Sequence, residues 1–128
     1  MRMRPIVTST APQAIGPYSQ AIEEGGLLFC SGQIPVNPET GQLVEGGITE
    51  QTERTLQNLS NLLTAGGSSL LHVIKTTVFL ADLSHFQEMN EVYAKFFENH
   101  RPARSTVQVA ALPMGALVEI DAVARVIE

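Results

Sequence analysis

Tryptophan is absent, aromatic residues make up only 5% of the chain, cysteine occurs once, histidine three times, and cations are scarce, with eight Lys and Arg against thirteen Asp and Glu. Each shortage removes a class of protein. The single cysteine, Cys30, excludes an internal disulfide and any multi-thiolate metal site within one chain. It lies in Leu27-Leu28-Phe29-Cys30 and reads as a small buried hydrophobe, because no histidine partner that would make it a nucleophile can be placed beside it. His72, His85 and His100 are widely separated and show no i, i+4 ligand spacing, so no metal site is expected. A net charge of −5 with few aromatics leaves neither the cationic stripe nor the stacking platforms that nucleic acid requires. Nucleic acid is therefore a disfavoured partner. No apolar run approaches the roughly 20 residues of a membrane span. The basic start Met1 to Arg4 runs into Pro5 and polar residues, not an apolar segment, so no secretory leader is expected. These absences together point to a soluble, cytoplasmic protein.

What is present fits one domain over residues 1–128, long enough to bury a sizeable core. After an extended start at Ile6-Val7, Ala14 to Ile22 leads through Glu23-Glu24-Gly25-Gly26 to Leu27–Ser31, the form of a β-hairpin turned by two glycines. Pro35 to Gly41 is dense in turn formers and reads as a loop. Thr49 is a candidate N-cap, with Glu50 and Glu53 in a first turn where the helix dipole favours negative charge. Leu56, Leu59, Leu62 and Leu63 then form an apolar stripe, ended by Gly66-Gly67. Val73 to Ala81 has the β-branched composition of a strand. Ser84-His85-Phe86-Gln87 has the capping-box form and opens a second helix with Phe86, Met89, Tyr93, Phe96 and Phe97 on its apolar face. Asn90 lies off the densest part of that stripe.

Residues 101–124 carry the chemistry. Val107, Val109 and Ala111 alternate with Thr106 and Gln108, and Val118, Ile120, Ala122 and Ala124 alternate with Glu119, Asp121 and Val123. The spacing predicts two strands joined as a hairpin around Leu112-Pro113-Met114-Gly115, with Ala111 opposite Ala116. In that register Gln108 faces Glu119 and Thr106 faces Asp121, so Arg104, Thr106, Gln108, Glu119 and Asp121 share one non-core side. Two readings of the cluster stand at this point. Either Arg104 pairs diagonally with Asp121 on a solvated sheet, a contact of roughly 0.2–1 kcal/mol, or Arg104 forks onto the carboxylate of a small anion while a nearby carboxylate orients water. The strand, helix, strand order over 73–111 also implies one parallel pairing, hence a mixed sheet. Two helices cover only one face of it, so the other must be shielded, and a homo-oligomer with polar clefts between subunits is expected.

Four ordered blocks, Ile15-Gly16-Pro17-Tyr18-Ser19-Gln20, Ser31-Gly32-Gln33-Ile34-Pro35-Val36, Lys75-Thr76-Thr77-Val78-Phe79-Leu80 and Pro102-Ala103-Arg104-Ser105, resemble the successive signatures of the RidA (YjgF/YER057c/UK114) family of reactive intermediate deaminases. The resemblance covers nearly the whole chain. It implies an α+β fold of the chorismate-mutase-like type, with a mixed six-stranded sheet and two helices on one face, assembled as a homotrimer with three interface clefts. It further implies hydrolysis of imine and enamine acids such as 2-iminopropanoate and 2-aminoacrylate to 2-oxo acids and ammonia. Such metabolite damage control is functionally linked to pyridoxal-phosphate-dependent dehydratases, yet the family uses neither that cofactor nor a metal. By resemblance Arg104 grips the substrate carboxylate and Glu119 serves the attacking water. Tyr18, Ser31 and Asn90 match polar cleft positions, and the backbone around Gly32 and Thr106 offers hydrogen bonds. Thr106 departs from the family pattern, in which many members carry cysteine, so thiol chemistry is not required. An endoribonuclease or translation-inhibitor activity and a noncatalytic metabolite-binding trimer are the alternatives.

Overall fold

The computed structural model describes residues 3–127; Met1 and Arg2 of the basic start lie outside them. Strand β1 (Arg4–Ile6) pairs antiparallel with β2 (Ala21–Glu24), and β2 with β3 (Leu27–Gln33). Gly25 and Gly26 turn the β2–β3 hairpin at φ 60° and 81°, backbone angles a side chain would resist. The turn-rich stretch that reads as a loop is in part a small hairpin, β4 (Val36–Asn37) against β5 (Gln42–Leu43).

Helix α1 (Ile48–Ala65) begins earlier than Thr49. Its N-cap is Gly47, whose N–H donates to the Glu50 carboxylate at 2.9 Å, so the acidic residue expected to favour the dipole also closes the cap. Leu56, Leu59, Leu62 and Leu63 are fully buried, and Gly67 (φ 82°) follows the helix end. Strand β6 (Val73–Leu80) leads to a 3-10 turn at Leu83–His85 and then to α2 (Phe86–Phe96). The capping group is Asp82 instead of Ser84: its carboxylate accepts the Ser84 N–H at 2.8 Å. Aspartate accepts with a charged oxygen, and the turn hydrogen bond holds its carboxyl below the usual range.

After β7 (Ala103–Gln108) and a 3-10 turn at Pro113–Gly115, β8 (Val118–Arg125) completes a six-stranded sheet of order β1-β2-β3-β8-β6-β7. Pairing of β6 with β7 is parallel and the other pairings are antiparallel. Both helices lie on one face of this mixed sheet over a core of Leu28, Leu56, Leu59, Leu62, Val78, Met89 and Ile120. No helix among the described residues is long and apolar enough to cross a membrane.

The expected β7–β8 hairpin does not form. β8 inserts between β3 and β6, and β7 becomes the sheet edge beyond β6. Burial on both sides explains this placement, because Val118, Ile120, Ala122 and Ala124 are buried under the helices while Glu119, Asp121 and Val123 are half-buried on the other side. Such a strand belongs in the sheet interior. β7 carries no fully buried residue, and its Val107 is 41% exposed.

Candidate functional site: two half-sites on opposite sheet faces

In the parallel ladder Arg104 stands beside Thr76 and Thr106 beside Val78, and both partners are buried under the helices. Arg104 therefore projects to the helix side, at the sheet edge where α2 runs. Its guanidinium carbon lies 4.7 Å from the centroid of the Tyr93 ring and 5.6 Å from that of Phe86. The Tyr93 hydroxyl shares a 2.8 Å hydrogen bond with Thr76 Oγ1, and its ring meets Phe97 at 4.6 Å. Burial pushes the Tyr93 phenol above its ordinary pKa, against the opposing effects of Thr76 and Arg104. Among the described residues Arg104 makes no ion pair; the one they contain joins Arg4 to Glu23. Together with Asn90, Tyr93, Phe97 and Arg101 it lines a hollow of ≈ 330 Å³. Thr106 Oγ1, on the same side, is shielded from water and has no hydrogen-bond partner among the described residues.

Glu119 occupies the other face. It stands in register with Phe79, one position out of phase with the buried Val78 and Ile120. Opposite β8 the β3 register shifts between Cys30 and Gln33, so that Ser31 and Gly32 together oppose Asp121 alone, a β-bulge. The bulge lets the Glu119 carboxylate lie against the Gly32 backbone: a Cβ there would collide with Glu119 Oε2. Ser31 is tied to the loop before β2, its hydroxyl donating to the Ser19 carbonyl at 2.6 Å and its N–H to the Gln20 carbonyl at 2.9 Å. That loop carries Tyr18, 55% exposed, whose hydroxyl accepts the Ile15 N–H at 3.3 Å. Burial, and then the charge of Asp121, hold the Glu119 carboxyl above the ordinary glutamate pKa. Asp121 is itself engaged, accepting the Thr77 N–H at 3.1 Å. Cys30 is buried beneath this region and its thiol is pushed up to about 12, first by burial and then by Asp121, consistent with an inert packing residue.

The polar cluster read from the hairpin thus divides in two. Arg104, Asn90 and Thr106 gather on the helix side of the edge, whereas Glu119, Gly32, Ser31 and the Tyr18 loop gather on the open face. The diagonal Arg104–Asp121 pair does not exist, because Asp121 faces Thr77 across the sheet from Arg104. Sequence reading also missed the aromatic surroundings of Arg104 and the influence of Asp121 on Glu119. A signal was present for the first: Phe86, Asn90, Tyr93 and Phe97 recur at three- and four-residue steps, one face of one helix. For the second the signal was the two-residue spacing of Glu119 and Asp121, which sets both carboxylates on one face of their strand.

The fold is thus an α+β protein whose mixed sheet carries, on one face, an edge guanidinium with no carboxylate partner among the described residues and, on the other, a half-buried carboxylate. The chain belongs to the Endoribonuclease L-PSP family, whose profile matches residues 8–126, and with it to the RidA (YjgF/YER057c/UK114) group. It is 51% identical over 119 residues to a RutC family protein of Pyrococcus horikoshii, covering 93% of this chain and 94% of that one. To the human 2-iminobutanoate/2-iminopropanoate deaminase it is 48% identical over 121 residues, covering 94% of this chain and 88% of the relative. The structure of E. coli TdcF with bound serine superposes with a TM-score of 0.91 at 44% identity, covering 95% of this chain and 98% of that one.

Proposed function

We propose that the protein hydrolyses 2-imine and 2-enamine acids, such as 2-iminopropanoate and 2-aminoacrylate, to 2-oxo acids and ammonia. The observation that carries this reading is the state of Arg104, a stacked guanidinium with no carboxylate partner among the described residues, facing a hollow of ≈ 330 Å³. In a chain where acids outnumber bases, an arginine left without a carboxylate is suited to an anionic ligand. The name of the human relative supports an imine substrate.

Arg104 and Glu119 lie on opposite faces of one sheet, so a single protomer cannot bring them to one small molecule. The proposed cleft therefore forms between protomers of a homotrimer, with Arg104, Asn90 and Thr106 from one and Glu119, Gly32, Ser31 and Tyr18 from its neighbour. Arg104 docks the substrate carboxylate through its planar fork. Glu119, ionised, takes a proton from water as the oxygen bonds to the imine carbon. The nitrogen gains a proton from Tyr18 or from water to give the carbinolamine. Glu119 then returns its proton to the nitrogen, the carbinolamine hydroxyl gives its proton back to Tyr18 or water as the C–N bond breaks and the C=O bond forms, and ammonia and the 2-oxo acid leave. The shielded Thr106 hydroxyl offers an unused hydrogen bond to substrate or water.

The test is a coupled assay in which a serine or threonine dehydratase supplies the imine. Addition of this protein should speed ammonia release, and no change in rate would refute the activity. Incubation with single-stranded RNA across salt concentrations is expected to show neither binding nor cleavage; cleavage would favour the activity in the family's printed description.

A further inference from the structure

We propose that Tyr93, held in place by Thr76, is a positioning residue that orients the Arg104 guanidinium for a carboxylate. The inference rests on the reading of Arg104 as the substrate anchor. An arginine side chain has many rotamers, and one held by no ion pair would sample them freely unless something else confined it. What confines it here is aromatic: the Tyr93 ring beneath it at 4.7 Å, with Phe86 at 5.6 Å.

The form of this restraint suits a binding role. An ion pair would orient a guanidinium but occupy the in-plane N–H donors that a ligand carboxylate needs. Stacking engages the planar face and leaves those donors free. The shelf is itself fixed at both ends. The Tyr93 hydroxyl shares a 2.8 Å hydrogen bond with the fully buried Thr76 hydroxyl, and the ring packs on Phe97 at 4.6 Å. A core position alone would be filled as well by Phe or Leu, without two polar groups that must satisfy each other. Thr76 is also the ladder neighbour of Arg104, so one strand pairing sets both the base of the shelf and the root of the side chain it supports.

The proposal is tested by titrating the intact protein with 2-oxobutanoate and with its uncharged amide, 2-oxobutanamide. The parent should prefer the carboxylate, and Arg104→Ala should abolish that preference. Tyr93→Leu should weaken carboxylate binding about tenfold, the scale of a partly desolvated cation–π contact, with little change for the amide. Tyr93→Phe, which keeps the ring face, should restore most of the affinity. If the leucine variant does not fold, Tyr93→Met carries the same expectation, because its flexible side chain fills the space without offering a ring. Equal losses for both ligands, or no loss, in a folded Leu or Met variant at Tyr93 would overturn the shelf while leaving the anchor intact. An unaltered carboxylate preference in Arg104→Ala would overturn the anchor and the shelf together.

Discussion

The chemistry proposed for the chain rests on two side chains held in unlike surroundings. Arg104 is stacked and has no ion-pair partner among the described residues, its donors available to a ligand. Truncation to Ala should lower kcat/KM by about 100-fold, the scale of a lost charge-assisted hydrogen-bond pair, while the melting temperature stays within a few degrees because no ion pair among the described residues is broken. Lysine should recover only part of the rate, since an ammonium has no fork. Glu119 is raised above the ordinary glutamate value by burial and by Asp121. Its ionised form is the one that accepts a proton from water, so the rate should fall, as pH drops, at a higher pH than for an exposed glutamate. Asp121→Asn removes one of the two causes, and the acid limb of the pH–rate profile should move to lower pH; an unmoved limb would show that Glu119 does not control it. For stability the sign is the reverse of the usual carboxylate case. With its folded pKa raised above the unfolded one, Glu119 favours the fold below the unfolded pKa and loses that contribution as pH rises through the folded value. Glu119→Gln should therefore melt higher than the parent at pH 7 even as its turnover falls.

Among the elements, two of the glycines that meet a neighbour, Gly32 and Gly66, separate function from folding. A methyl group at Gly32 would strike the end of a flexible glutamate beside the bulge. Gly32→Ala should thus reduce kcat with little effect on thermal stability. At Gly66, beyond α1, the same methyl would sit 2.5 Å from a methyl carbon of Leu28, which is fully buried. Gly66→Ala should cost about 1–3 kcal/mol in denaturant unfolding. The helices, the β2–β3 hairpin and the parallel β6–β7 crossover were legible because period, caps and glycine turns are local signals. The position of β8 was not. Alternation in β7 and β8 reports that each has two unlike faces, but says nothing about whether a third strand lies between them. The apolar Val107 explains the difference: alternation alone sets it toward the core, yet it lies on the open face in register with Phe79. Among the residues proposed for the site, Arg104 and Glu119 stood out in the sequence, while their division between two faces depended on long-range pairing and could not be read there.

For the whole molecule, the consequence is an uncovered sheet face that carries apolar residues. Phe29 is 45% exposed there and stands in register with Val123, and Val107, in register with Phe79, is 41% exposed at the edge. Against water such a patch is unfavourable, and burial between protomers would remove it. Light scattering should return about three times the 13.8 kDa chain mass at micromolar concentration, and Phe29→Glu should lower it. Loss of assembly should abolish turnover, because the proposed cleft draws residues from two protomers. The most direct measurement mixes two inactive variants, Arg104→Ala and Glu119→Gln, by joint refolding. If each cleft takes its arginine from one protomer and its glutamate from another, about a quarter of the clefts in an equal mixture carry both native groups, and activity should return to that extent. A mixture as inactive as its components, with the oligomer re-formed, would contradict the shared cleft.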